Sequence, residues 1–234
     1  MGNVYVSKEE QTLAFATLKH GLVVSCQVPD GTPIDTPEFI AAQAHTVIQA
    51  GAVGIRAQGI ANVSAIARSV NLPIIGLIKK FREDCPIYIT PDIEDILNLE
   101  EAGATIVAID ATERMRPGGT SFATFFTELR TRTKIPILAD VDTVEAAIIA
   151  QSLGCEAVAT TLSGYTDAPA PKLPNIELIE RLSAKMEIPI IAEGGFNSYA
   201  DLHRAFDAGA WSVCIGTAIT NPYLLTKGFV QAIN

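Results

Sequence analysis

The sequence predicts a single (β/α)8 barrel of the phosphate-binding type, and three observations carry that reading. One phrase recurs: LPIIGLIKK (72–80), KIPILADVD (134–142) and EIPIIAEGG (187–195). A second phrase, AGAVGIRAQG (50–59), AGATIVAID (102–110), LGCEAVATT (153–161) and AGAWSVCIG (208–216), alternates with it, and helix patterns lie between. Repetition at this scale is architecture, and short apolar strands separated by amphipathic helices pair in parallel, buried on both faces. The second observation is the stretch 188–217, which reads strand, glycine turn, helix, strand, glycine turn. Glycines directly after a strand let backbone N–H groups approach a phosphate. Two such turns on successive strands near the C-terminus, Gly194-Gly195 and Gly216-Thr217, match the phosphate cup of a barrel. The third is a row of polar strand ends: Gln27, Arg56, Lys79, Asp110, Asp140, Thr161 and Glu193. Polar residues at successive strand ends converge on the catalytic face of a barrel. The competing architecture is an open doubly wound sheet. It would need a dinucleotide glycine fingerprint, and no GxGxxG follows the first strand.

The 234 residues match the usual ~250 of one barrel, and no linker or second domain is apparent. Residues 1–20 read as a lead-in, expected to plug the barrel bottom, and 21–234 as the catalytic barrel. Strand one is Leu22–Cys26. Thr36-Pro37 is an N-cap with proline at the first helical position, and that helix runs to about Ala50. Strand two, Val53–Ile55, ends at Arg56, and a helix follows over about Ala61–Ser69. Strand three, Pro73–Ile78, ends at Lys79. CPIYIT (85–90) also has strand character, which would make nine strands. It is assigned to the loop after strand three, because Thr90-Pro91 reads as the cap of a helix over Asp92–Glu101. Strand four, Thr105–Ile109, ends at Asp110, and a helix spans roughly Ser121–Arg132. Strand five, Pro136–Ala139, ends at Asp140, with Asp142 and Glu145 as a capping pair for the next helix. Strand six, Glu156–Thr160, runs into TTLSGYTDAPAPKLP, a long Gly/Pro loop of the kind that covers sites. Strand seven is Pro189–Ala192. Ser198 then opens a helix, with Asp201 as its capping-box acid, and strand eight is Trp211–Ile215. Asn221-Pro222 caps the last helix.

Composition narrows the partners. A net charge of −9 argues against nucleic acid or an anionic membrane surface. No apolar run reaches the ~20 residues that span a bilayer, and the N-terminal segment lacks a signal peptide's apolar region. The four cysteines, Cys26, Cys85, Cys155 and Cys214, have no metal or redox spacing. They read as core thiols of a cytoplasmic protein.

Lys79 follows an apolar run, where desolvation and a nearby Arg56 would both lower its pKa, as a neutral lysine base requires. It would otherwise be a solvated lysine beside Lys80. Glu193 follows IIA and precedes two glycines; it is either an acid raised in pKa by burial or a salt-bridge partner of Arg56 or Lys79. Asp140 could bond a sugar hydroxyl or cap the next helix, and Asp110 is open in the same way. His20, His45 and His203 fall away from the strand ends. No His/Asp/Glu cluster has metal-ligand spacing, so neither metal nor cofactor is expected. A phosphate cup, a lysine, a carboxylate and polar groups fit proton abstraction next to a carbonyl on a phosphosugar.

VSCQ (24–27), IRAQG (55–59), PIIGLIKK (73–80), YITP (88–91), DAT (110–112), TTLSGYT (160–166), AEGG (192–195) and GTAIT (216–220) closely resemble the N-acylglucosamine-6-phosphate 2-epimerases. The resemblance covers nearly the whole chain from Gly21. It implies a cytoplasmic homodimer of amino-sugar metabolism and sialic acid degradation, converting N-acetylmannosamine 6-phosphate to N-acetylglucosamine 6-phosphate. It makes Lys79 the acid/base at C2 and Glu193 its helper at the carbonyl end. Gln27, Arg56, Asp140 and Asp110, with Ser163, Gly164 and Tyr165 of TTLSGYT, would contact the sugar. Gly194, Gly195, Gly216 and Thr217 would hold the phosphate. One residue departs: the family carries AITRP, whose arginine contacts substrate, where this chain has AITNP with Asn221. The rivals are another phosphosugar isomerase or lyase of these barrels, and a non-catalytic phosphosugar sensor. Retention of both Lys79 and Glu193 argues against the sensor.

Overall fold

A computed structural model describes residues 13–83, 85–166 and 171–233. Eight parallel strands close into one barrel in sequence order, the last pairing with the first. They are β1 (Leu22–Cys26), β2 (Gly54–Gln58), β3 (Ile74–Leu77), β4 (Ile106–Asp110), β5 (Ile137–Asp140), β6 (Ala157–Ala159), β7 (Ile190–Glu193) and β8 (Ser212–Ile215). The helices are α1 (Pro37–Gln49), α2 (Ile60–Ala67), α3 (Ile93–Glu101), α4 (Phe122–Arg132), α5 (Val144–Leu153), α6 (Ile176–Ser183), α7 (Tyr199–Asp207), α8 (Thr217–Thr220) and α9 (Pro222–Ala232).

Side chains alternate across each strand. One set fills the barrel: Val23, Ile75, Ile106, Leu138, Ala157 and Ile191 belong to a single buried cluster. The other set, with Val24, Ile55, Val107 and Ile137, meets the helices. From the lead-in, Phe15 and Leu18 are buried in the interior cluster, and the Trp211 indole N–H donates to the Phe15 carbonyl at 2.8 Å. Residues 1–12 of the expected plug lie outside the described residues.

Local chemistry sets the helix starts. The side chains of Thr36, Ser121, Asn175, Ser198 and Asn221 each accept a hydrogen bond from an N–H of the first turn they cap. Two expected caps are corrected. The helix after β5 is capped by Thr143, which accepts from the Ala146 N–H, while Asp142 accepts from the Thr166 hydroxyl instead. Thr90 caps nothing: its hydroxyl donates to the Ala108 carbonyl at 2.6 Å and accepts from the Ile78 N–H, and α3 begins after Asp92. Residues 85–90 stay out of the barrel. Their end folds back antiparallel on the β3 exit, with a bridge between Lys79 and Ile89. Strand β2 extends past the expected boundary, which puts Arg56 within the strand rather than at its end.

Candidate active site

A cavity of about 780 Å³ opens at the C-terminal ends of the strands. Its floor is a charged knot. Arg56 is 1% exposed and grips Asp140 (0%) through two bonds, at 3.0 and 2.6 Å. The same guanidinium reaches Glu193 at 2.8 Å. The Thr161 hydroxyl lies 2.7 Å from Asp140 Oδ1 and 3.1 Å from Glu193 Oε2, so its one hydrogen serves one carboxylate at a time. Glu193 is held in register by Thr160, whose hydroxyl donates to the Glu193 carbonyl (2.8 Å) and accepts from its N–H (3.0 Å). Burial works against the Arg56 charge, but Asp140 and Glu193 more than offset it, so its pKa rises above the ordinary range.

Across the cavity, Lys79 lies at the end of β3. Its amine makes no hydrogen bond or ion pair with a described residue. Burial, and then the Arg56 charge, lower its pKa from 10.5. Glu193 moves the other way: burial raises its pKa above 4.5, Arg56 opposes, and Asp140 adds to the rise. The shifts bring an amine and a carboxyl toward neutral forms at one place, the arrangement that general acid–base chemistry uses.

The two glycine turns expected to hold a phosphate also border the cavity. Gly194 and Gly195 have φ of 108° and 76°, in the region glycine favours, and line the cavity with Gly216 and Thr217. A Cβ on Gly195 would come within 2.5 Å of the Leu173 Cβ.

Gln27, Arg56, Lys79, Tyr165, Glu193 and the four cup residues therefore share one cavity wall. Four other expected contacts do not reach it. Asp140 stands behind Arg56, its oxygens taken by Arg56 and Thr161. It also caps no helix. Asp110 turns into the loop after β4, where it accepts from Thr112 and Arg114. The Ser163 hydroxyl accepts from the Asn175 amide, and Gly164 backs onto Pro171. For the three side chains a short-range or long-range donor claims the group before a ligand could. His20, His45 and His203 are exposed and off the cavity. The four cysteines are free and buried.

Sequence reasoning missed several wall residues. Ser25 and Cys214 come from the inward faces of β1 and β8, and Leu224 and Leu225 from α9. Phe81 and Tyr88 come from the arm between β3 and α3. An inward position two residues before a strand's polar end was the available signal for Ser25, which precedes Gln27. Asn221 lines the cavity, while its side chain accepts the capping bond from the Leu224 N–H.

Comparison with known proteins sets this geometry in context. Residues 40–234 match a family described as "Putative N-acetylmannosamine-6-phosphate epimerase". Two relatives carry the name "Putative N-acetylmannosamine-6-phosphate 2-epimerase". One, from Caldanaerobacter subterraneus, is 44% identical over 218 residues, covering 92% of each chain. The other, from Clostridioides difficile, is 40% identical over 219 residues, covering 92% of this chain and 97% of its own. Among solved structures, the N-acetylmannosamine-6-phosphate 2-epimerase from Clostridium perfringens superposes with a TM-score of 0.86 at 35% identity. That match covers 93% of this chain and 95% of that one.

Proposed function

The chain belongs to the N-acetylmannosamine-6-phosphate epimerase family, and from that premise we propose that it interconverts N-acetylmannosamine 6-phosphate and N-acetylglucosamine 6-phosphate by proton transfer at C2. The observation that carries this reading is the pair Lys79 and Glu193 in one cavity, with pKa values pushed in opposite directions. The phosphate sits on the backbone of Gly194, Gly195, Gly216 and Thr217, on β7 and β8. The sugar then reaches across the barrel mouth toward β3, which puts C2 near Lys79.

In the open-chain form the aldehyde at C1 acidifies the C2 proton. Neutral Lys79 takes that proton, and the electron pair of the C–H bond moves into an enolate whose charge collects on the C1 oxygen. The carboxyl of Glu193, whose pKa burial raises, donates to that oxygen in its protonated form. Donors placed where charge develops are worth several kcal/mol in such a site. Return of a proton to the opposite face of C2 completes the epimerisation. Arg56 anchors Glu193 and keeps a positive charge beside Lys79. Gln27 and Tyr165 border the sugar.

The test is incubation with N-acetylmannosamine 6-phosphate in heavy water, with C2 configuration and deuterium content read by NMR. Inversion with label at C2 is expected, and free N-acetylmannosamine should not turn over. Equal turnover of the free sugar removes the cup from the reading, and absence of inversion removes the reading.

The protein acts as a homodimer of the cytoplasm in this proposal. No described helix is long and apolar enough to cross a membrane. Helix α9 supports self-association: none of its residues is buried, and Tyr223, Phe229 and Val230, with Ile233 just past its end, are exposed apolar side chains. A single monomeric species in analytical ultracentrifugation would count against it.

A further inference from the structure

The arm between β3 and α3 places an unused donor at the edge of the cavity. Its two halves are stitched by the Lys80 N–H to the Tyr88 carbonyl (2.9 Å) and the Thr90 N–H to the Ile78 carbonyl (2.7 Å). Thr90 anchors it to β4 through the Ala108 carbonyl. Beyond the ladder, Arg82 and Lys80 pair with Asp92, and Lys80 also with Asp95 on α3. The arm is thus fixed to the scaffold on both sides, as a binding wall must be. It presents Tyr88 and Phe81 to the cavity beside Lys79. The two rings stack, with centroids 5.2 Å apart and planes 13° from parallel.

The Tyr88 hydroxyl bonds to no described residue. Tyrosine hydroxyls that are partly buried usually find a partner. Burial, then Asp140 and Asp110, push its pKa up to about 12, so it stays a neutral donor at any physiological pH. The group it faces is therefore an acceptor, and a neutral one, because the Asp140 and Asp110 charges act on the phenol ahead of those of Arg114 and Arg56, while Phe81 and Ile89 line the same cavity with carbon. The enolate oxygen at C1 does not fit these surroundings; the charged floor of Arg56, Thr161 and Glu193 serves it. A neutral carbonyl with an alkyl group attached does fit.

We infer that Tyr88 and Phe81 form the site of the substrate's N-acyl group, with the Tyr88 phenol donating to the acyl carbonyl oxygen and the Phe81 ring bordering its alkyl tail. The assignment rests on the functional reading above, because the cup on β7 and β8 and the amine on β3 direct C2 and its substituent to this arm. Phe81 is 78% exposed, so the wall is open outward and longer acyl tails extend past it to solvent.

The test compares the parent with Tyr88→Phe, which keeps the stacked ring and removes only the donor. Affinity is measured by calorimetry for N-acetylglucosamine 6-phosphate and, by competition, for glucose 6-phosphate, which keeps ring and phosphate but lacks the acyl group. Loss of one neutral hydrogen bond predicts about 3- to 10-fold weaker binding of the N-acetyl ligand, unchanged binding of glucose 6-phosphate, and a higher KM with near-parental kcat. Equal weakening of both ligands, or parental binding of both, overturns the assignment. Turnover of N-acetylmannosamine 6-phosphate by the parent is followed in the same samples. If the parent does not epimerise, the functional reading fails. If it does and the ligand difference is absent, only the acyl assignment fails.

Discussion

Replacing Asp140 by asparagine isolates the charged knot, because it removes one charge and almost no volume. In the folded protein Asp140 is fully buried and accepts three bonds, two from Arg56 and one from Thr161. Asparagine keeps one acceptor and turns an NH2 group toward a guanidinium that offers only donors. Breaking one side of a buried pair costs about 3–5 kcal/mol, because the remaining charge stays buried without compensation. That is a large part of the about 5–15 kcal/mol that holds a protein folded. Arg56 keeps Glu193 at 2.8 Å as its one remaining anion, which sets the loss toward the lower end. With a urea dependence of about 2–3 kcal/mol per molar, the unfolding midpoint should fall by about 1–2 M. The double variant Arg56→Met with Asp140→Leu removes both charges and should regain part of that stability while losing turnover. Circular dichroism in urea reads both results. A midpoint for Asp140→Asn within a few tenths molar of the parent would refute the argument, since the pair would then be screened by water.

Other perturbations test the rest of the site. Lys79→Met should fold and bind substrate, lose about 10²–10⁴-fold in turnover and stop deuterium entering C2, whereas Glu193→Gln should be slowed but retain slow exchange if it acts at C1. Exchange at the parental rate in Lys79→Met would move the base elsewhere. Gly195→Ala forces a left-handed backbone, costing about 1–2 kcal/mol, and meets Leu173; it should raise KM for the phosphorylated sugar, and an unchanged KM would remove Gly195 from the cup. Glu193 has a raised folded pKa, so its stabilising contribution is present below its unfolded value and lost as pH rises through the folded one. Glu193→Gln should accordingly compare better with the parent at pH 7 than at pH 4 in denaturant titrations, and the opposite ordering would contradict the shift.

The features that sequence made legible are those that neighbouring residues decide. A short apolar run closed by Lys79, or by Glu193 and two glycines, states its own strand, its exit and its turn. The alternating phrases do the same for eight-fold closure. What stayed illegible depends on partners far along the chain. Arg56 looks like a strand terminator because a charge interrupts apolar residues. It continues β2 because Asp140, 84 positions away, neutralises it inside the barrel. Asp140 and Asp110 look alike at strand ends, and only the positions of Arg56 and Arg114 show that both are already engaged. Thr90-Pro91 has a cap's chemistry, yet Ala108 on β4 takes the hydroxyl. Tyr88 was hidden for a related reason: its segment reads as a strand, and its use arises from folding back over Lys79.

The buried ion pair is hard to explain as a stabilising device. Replacing such a pair by apolar side chains of similar volume is often neutral or stabilising, and the rest of this barrel is filled with Ile, Val, Leu and Ala. Its value lies in what it does to its neighbours. Arg56 and Asp140 cancel each other, so the floor carries a fixed dipole with little net charge. Glu193 is then a carboxyl beyond what the one arginine neutralises fully, and burial with Asp140 beside it favours its proton. Burial, and then the Arg56 charge, lower the pKa of Lys79. Burial therefore favours the neutral amine and the neutral acid together, with Arg56 adding to the shift at Lys79 and opposing it at Glu193; these are the two forms that the proposed abstraction at C2 and donation at C1 require. The pair's desolvation cost maintains the Arg56 share of the Lys79 shift, and a barrel with a more apolar floor would be steadier but would lose that share.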